Sequence, residues 1–158
     1  PEGQPRPAHA ALRSVQAMNC PAYVLDRQWD IPACNARAAE LFLNWGARAG
    51  QAPNQLRFLF QSRASRLLIH DWDTRARRLV AEFRADCGSR ASADFARLWD
   101  SHEVLGREGG ERRFQHPKLG QLCFEQLTLR PDQRGDLKLV LLLEPSARAD
   151  IASGQDLS

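Results

Sequence analysis

Four cysteines and four histidines are the side chains with the richest chemistry in this 158-residue chain. Cys20, Cys34, Cys87 and Cys123 contain no CxxC pair, and with His70 or His102 they show no metal-ligand spacing. A zinc site needs four such ligands, or three and a water, so no metal is expected. GxSxG, GxxxxGK[ST], HExxH and GxGxxG are all missing from the sequence, and a cysteine nucleophile would need a thiolate-stabilising neighbour that the sequence does not supply. The chain is read as a non-enzyme without a cofactor. His102 falls on an apolar helical face with Phe95, Leu98 and Trp99. It is either a core histidine satisfied by a hydrogen bond or a pH-responsive group that touches a ligand. His116 precedes Pro117 and suits capping of a turn. In His70-Asp71-Trp72-Asp73 consecutive helical residues point in different directions, so both aspartates are expected in solvent rather than in one site. Arg63, Arg66, Arg75, Arg77, Arg78 and Arg84 are interleaved with Asp71, Asp73, Glu82 and Asp86. The first expectation for them is paired charges on a solvated helix face. Contact with nucleic acid, with another domain or subunit, or with the carboxylate of an acidic ligand at a pocket mouth are the alternatives.

Composition limits the rest. One domain is expected at this length, and the net charge of +3 and pI near 9.0 are too mild to demand a nucleic-acid partner. No apolar run reaches the roughly 20 residues of a membrane span and no signal-peptide pattern is present. Unpaired thiols fit a reducing, cytoplasmic setting.

The elements that must position these groups begin with Ala22–Trp45. Tyr23-Val24-Leu25 reads as a strand, Asp26-Arg27-Gln28 as a polar break, and Trp29, Ile31 and Ala33 as an alternating second strand. Asn35 is a good N-cap for a helix whose Ala38, Leu41, Phe42 and Trp45 share one face. Before this unit, residues 1–20 comprise a Pro- and Gly-rich linker and a short connecting helix, His9–Asn19. After it come a loop over 46–54, a short helix carrying Leu56, Phe58, Leu59 and Phe60, and a long helix over about 65–86. The long helix has Leu68, Trp72, Ala76, Leu79, Val80 and Phe83 as its apolar stripe. A further helix starts near Ser92. Strands then follow over 112–116, 121–129 and 137–144, and residues 146–158 read as a flexible tail. The last strand, LKLVLLLE, is apolar on both faces and belongs at the centre of a sheet beside the N-terminal hairpin.

Two strands, several helices and three strands imply an α+β fold: a PAS-like five-stranded antiparallel sheet with helices over one face, occupying residues 21–145. A ligand cavity between the two layers would be lined by Phe42, Leu59, Leu68 and Trp72, by Leu79 further along, and by Phe124 and Leu141 from the sheet, with His102 as a polar member.

In chain order, PAYVLDRQWDIPACNARAAELF, NQLRFLF, DWDTRARRLVAEFRAD, ADFARLWDSHEV and RRFQHPKLGQLCFEQLTL resemble the C-terminal domain of MmyB-like bacterial transcription regulators. The resemblance covers about 21–145. It implies a PAS-like ligand-binding domain that follows an N-terminal helix-turn-helix DNA-binding domain, with a fatty acid as the kind of ligand held. Such an upstream half would precede Pro1, and DNA would be met only through it. The expected function is therefore a small-molecule-sensing regulatory domain with an apolar or fatty-acid-like ligand and a homodimer as a further partner. The alternative is a ligand-free dimerisation or protein-interaction module of the same regulator, which the short Cys87–Ala93 connection favours. A third reading places DNA directly on Arg75, Arg77 and Arg78.

Overall fold

Both faces of the last strand are apolar, and it is buried in the middle of the sheet. The computed structural model describes residues 7–87, 110–131 and 137–145. Its strands are β1 (Ala22–Leu25), β2 (Ala33–Cys34), β3 (Gly110–His116), β4 (Gly120–Leu129) and β5 (Lys138–Leu143). They form one antiparallel sheet in the order β2-β1-β5-β4-β3. Val140 and Leu142 join the main core with Tyr23 and Leu25, while Leu139 and Leu141 face the other way, against Ala22, Val24 and Val15. The fold is α+β, as expected.

The helices are α1 (Pro7–Ser14), α2 (Ala36–Leu41), α3 (Gln55–Gln61), α4 (Arg63–Leu68) and α5 (Trp72–Cys87). The last four supply Ala38, Leu41, Phe58, Leu59, Leu68, Ala76 and Leu79 to the main core. Cover is not confined to that face. Val15, in the 3-10 turn after α1, packs with Leu12 and Met18 on the opposite face of β1 and β5.

Asn35 joins these parts. Its Oδ1 accepts from Ala38 N at 2.9 Å, capping α2, and from Ala22 N at 3.1 Å. Its Nδ2 donates to the carbonyls of Cys20 (2.7 Å), Val15 (3.2 Å) and Met18 (3.4 Å). One buried amide thus ties the connecting segment to the first strand and the first core helix.

Three elements differ from the sequence-based expectation. The second strand is two residues long rather than running from Trp29, because Asp26 Oδ1 accepts from Gln28 N and Asp30 N and winds that segment into a turn with Trp29 at φ 64°. The helix after Asn35 stops at Leu41, and Leu43, Asn44 and Trp45 then take left-handed backbone angles (φ 53°, 53° and 52°). The reversal still buries Trp45, stacked on Phe42 at 5.0 Å and donating from Nε1 to Gln55 Oε1 at 2.8 Å. The long helix is two helices. Ile69 forms a bridge with Phe114, His70 N donates to Arg113 O at 3.1 Å, and Asp71 turns the chain at φ 51°. β3 is an edge strand, and this break gives some of its backbone groups a partner. The expected helix with Phe95, Leu98, Trp99 and His102 lies outside the described residues, as do the linker over 1–6 and the tail over 146–158.

Candidate ligand-binding site

Strand alternation on β3 sends Arg112, Phe114 and His116 inward and Glu111, Arg113 and Gln115 outward. On α5, Arg75 is three residues after Trp72 and four before Leu79, so it falls on the apolar stripe. Both arginines are interior, with Arg75 6% and Arg112 2% exposed. The reading of Arg75 as part of a solvated face is therefore corrected: helical phase outranks charge here. Arg77 is exposed and Arg78 half-buried, so the arginines proposed to touch DNA do not form one outward face.

The two guanidiniums converge on one neutral oxygen. Gln126 Oε1 accepts from Arg112 Nη1 at 2.6 Å and from Arg75 Nη2 at 3.0 Å. Gln126 Nε2 donates to Thr128 Oγ1 at 3.0 Å, which fixes the amide with its oxygen toward the arginines. Burial, and then repulsion from Arg112, pulls the Arg75 guanidinium down to about 9, with Glu82 opposing; burial also lowers Arg112. The buried Tyr23 phenol is pushed up by desolvation, against the pull of both arginines, and so remains neutral. Arg75 Nε, Arg112 Nη2 and Arg78 Nε are buried with no hydrogen-bond partner. Each insufficiently compensated buried ion costs several kcal/mol.

Two spaces flank the pair. The inner one, of ≈ 10 Å³, is bounded by Tyr23, Gln55, Leu79, Glu82, Gln126 and Lys138 and has room for about one water. The outer one is a groove of ≈ 210 Å³, where Ile69, His70, Asp71, Thr74, Arg78, Glu111 and Arg113 join the pair. Glu111 is engaged by Arg113. A separate, largely apolar cleft of ≈ 500 Å³ is lined by Cys20, Pro21, Leu41, Leu119, Leu122 and Phe124, with Asn19, Arg37, Glu40 and Glu144 as its polar members. Phe124 sits opposite Arg112 in the β3–β4 ladder, so cleft and arginine pair are neighbours on the sheet.

Of the residues predicted to line a cavity, Phe124 borders the apolar cleft and Leu79 the small inner space. Phe42, Leu59 and Leu68 are in the close-packed core; Phe42 makes ring contacts with Tyr23, Trp45, Phe58 and Phe114. Trp72 is half-buried, donates to Leu59 O at 3.2 Å and has the Arg66 guanidinium 3.8 Å from its ring centroid. Leu141 is on the opposite sheet face, and His102 is outside the described residues. The sequence signal for an interior Arg112 is its i, i+2, i+4 relation to Phe114 and His116, which its charge obscures. His116 does cap the turn: its Nδ1 accepts from Lys118 N and Leu119 N, each at 3.0 Å, and its Nε2 is 2.9 Å from Glu40 O. Proton on Nε2 satisfies all three contacts. Asp71 and Asp73 are exposed as expected. Among the described residues no three His, Cys, Asp or Glu side chains are grouped to hold a metal, and no helix is long and apolar enough to cross a membrane.

The domain thus carries an apolar cleft with room for a small molecule and, near it on the sheet, a buried cationic pair. Residues 8–153 match the family model of the MmyB-like transcription regulator ligand binding domain, and the chain belongs to that family. No curated protein matches it in sequence.

Proposed function

We propose that this is the sensing domain of a cytoplasmic bacterial transcription regulator, PAS-like in fold, which binds an apolar or fatty-acid-like ligand and through it controls a helix-turn-helix DNA-binding domain. The observation that carries this is the cleft of ≈ 500 Å³ with Leu41, Leu119, Leu122 and Phe124 in its lining. Its size and mixture of apolar surface with a few polar groups suit a small amphiphile. The cleft also touches Asn19, Cys20 and Pro21, next to the segment that Asn35 anchors. A ligand there has direct contact with the chain leading toward α1. It shifts the regulator to the extent that it prefers one arrangement of that segment over another. The test is denaturing organic extraction of the purified domain, followed by mass spectrometry, before and after incubation with dodecanoate. One amphiphile per domain is the expected yield. An empty extract in both cases overturns the reading.

A second reading, a dimerisation module, is favoured by the outer face of the sheet. Leu127, Leu129 and Leu143 are 41%, 43% and 36% exposed there and adjoin the buried Leu139 and Leu141. Sedimentation velocity over a concentration series tests it. A dimer that Leu127→Glu dissociates supports it, and a monomer at every concentration excludes it.

A further inference from the structure

We infer that His116 is a proton-sensitive clasp that holds two walls of the apolar cleft together. One wall comes from α2, which supplies Arg37, Glu40 and Leu41. Another comes from the β3–β4 turn and β4, which supply Leu119, Leu122 and Phe124. His116, at the end of β3, bonds to both walls. Its Nε2 is 2.9 Å from Glu40 O in the last turn of α2, and its Nδ1 is 3.0 Å from Lys118 N and from Leu119 N. Both backbone groups at Nδ1 are donors, so that nitrogen must keep its lone pair and the proton sits on Nε2. The ring is 2% exposed, so a lost partner is not simply replaced by water. A second proton on the ring goes to Nδ1 and turns it into a donor aimed at two other donors. The bond from Nε2 to the Glu40 carbonyl instead gains from the positive charge. The protonated ring therefore stays on α2 and lets go of the turn that carries Leu119. Among the described residues, the charged groups around the clasp are Arg37 and Glu40 of α2, Lys118 of the turn and Glu144 after β5. Arg112, the nearest inward charge on β3, has Phe114 between it and His116. The consequence for binding rests on the cleft being the ligand site proposed above; the clasp itself does not.

NMR titration of the whole chain from about pH 8 to about pH 5, the range in which histidine changes charge, tests the clasp without a ligand. The ring nitrogen shifts should show Nε2–H at the upper limit. As the ring gains its second proton, the amides of Lys118 and Leu119 should lose at least about 10-fold in exchange protection. Two variants divide the ring's roles. His116→Asn presents an oxygen in place of Nδ1 and should cap the turn at every pH. His116→Gln places its amide near the position of Nε2 and should leave the turn loose at every pH. Wild type against His116→Asn is a sufficient comparison where His116→Gln does not fold. A ring that stays neutral to the lower limit, amides that keep their protection while it titrates, or the same loss in His116→Asn overturns the inference. Calorimetry with dodecanol, whose head group does not titrate in this range, reads the effect on the cleft. Binding should weaken at least about 3-fold between the two limits in wild type and stay constant in His116→Asn. A clasp that opens with no dodecanol bound at either limit retains the inference and overturns the cleft as the ligand site. Dodecanol bound equally at both limits while the amides open overturns the link between clasp and cleft.

Discussion

Asn35 shows how much one polar side chain can hold. Its two oxygen contacts and three nitrogen contacts connect α2, β1 and the turn after α1. Asn35→Ala removes a helix cap and leaves buried backbone groups unpaired, so urea unfolding should show a loss of roughly 2–4 kcal/mol. A loss below about 0.5 kcal/mol would contradict the network. Arg75 gives a pH-dependent prediction. Its folded value, about 9, is well below the ordinary value of a guanidinium, so between the two the unfolded chain binds more protons and stability rises with pH. The penalty of the buried charge is fully present below about 9 and is relieved as the pH climbs above it. The stability of wild type relative to Arg75→Met should therefore increase between about pH 7.5 and about pH 10.5 in anion-poor buffer, as read by urea unfolding at each pH. A difference that stays flat would mean that Arg75 is not penalised by burial. Burial also raises the Cys34 thiol, whereas Cys123 is exposed on β4. Iodoacetamide at neutral pH should label Cys123 well before Cys34, with peptide mass spectrometry giving the order.

The elements that local rules govern were legible in the sequence, and those imposed from a distance were not. The Asn35 cap, the stripe of Ala38, Leu41, Phe42 and Trp45, and the turn before β4 each depend on neighbours in sequence, and each is present in some form. The break at Ile69–Asp71 depends on a strand some forty residues later, with which Ile69 and His70 pair; the apolar period runs straight through it. The facing of Leu141, away from the main core, is hidden in the sequence for a different reason. In a strand apolar at almost every position, alternation carries no information about which side faces the helices. Arg75 followed the helical period, but its charge argued for solvent; the pattern was readable and the chemistry misled. The left-handed turn was invisible because none of Leu43, Asn44 and Trp45 is glycine. Exposed Asn44 can test it: Asn44→Val should lose about 1–2 kcal/mol, while Asn44→Gly should stay within about 0.5 kcal/mol of wild type. Equal stability of the two variants would rule out the φ of 53° at that position.

At the scale of the whole molecule, the sheet has two unequal faces. One holds an aromatic and aliphatic core with charged groups embedded in it, and the other is covered near β1 by Val15, Leu12 and Met18 but leaves leucines of β4 and β5 partly open. Sensing and association would thus use opposite sides of the same five strands. The order of those strands also has a bearing on synthesis. β5, the last to leave the ribosome, joins β1-β2 on one side to β3-β4 on the other, and its pairing with β1 spans more than a hundred residues. At roughly 5–20 residues per second, β1 waits several seconds or more for the partner that covers it. Until then the nascent chain carries two half-sheets with open apolar edges, the state in which chaperones and aggregation compete for a polypeptide.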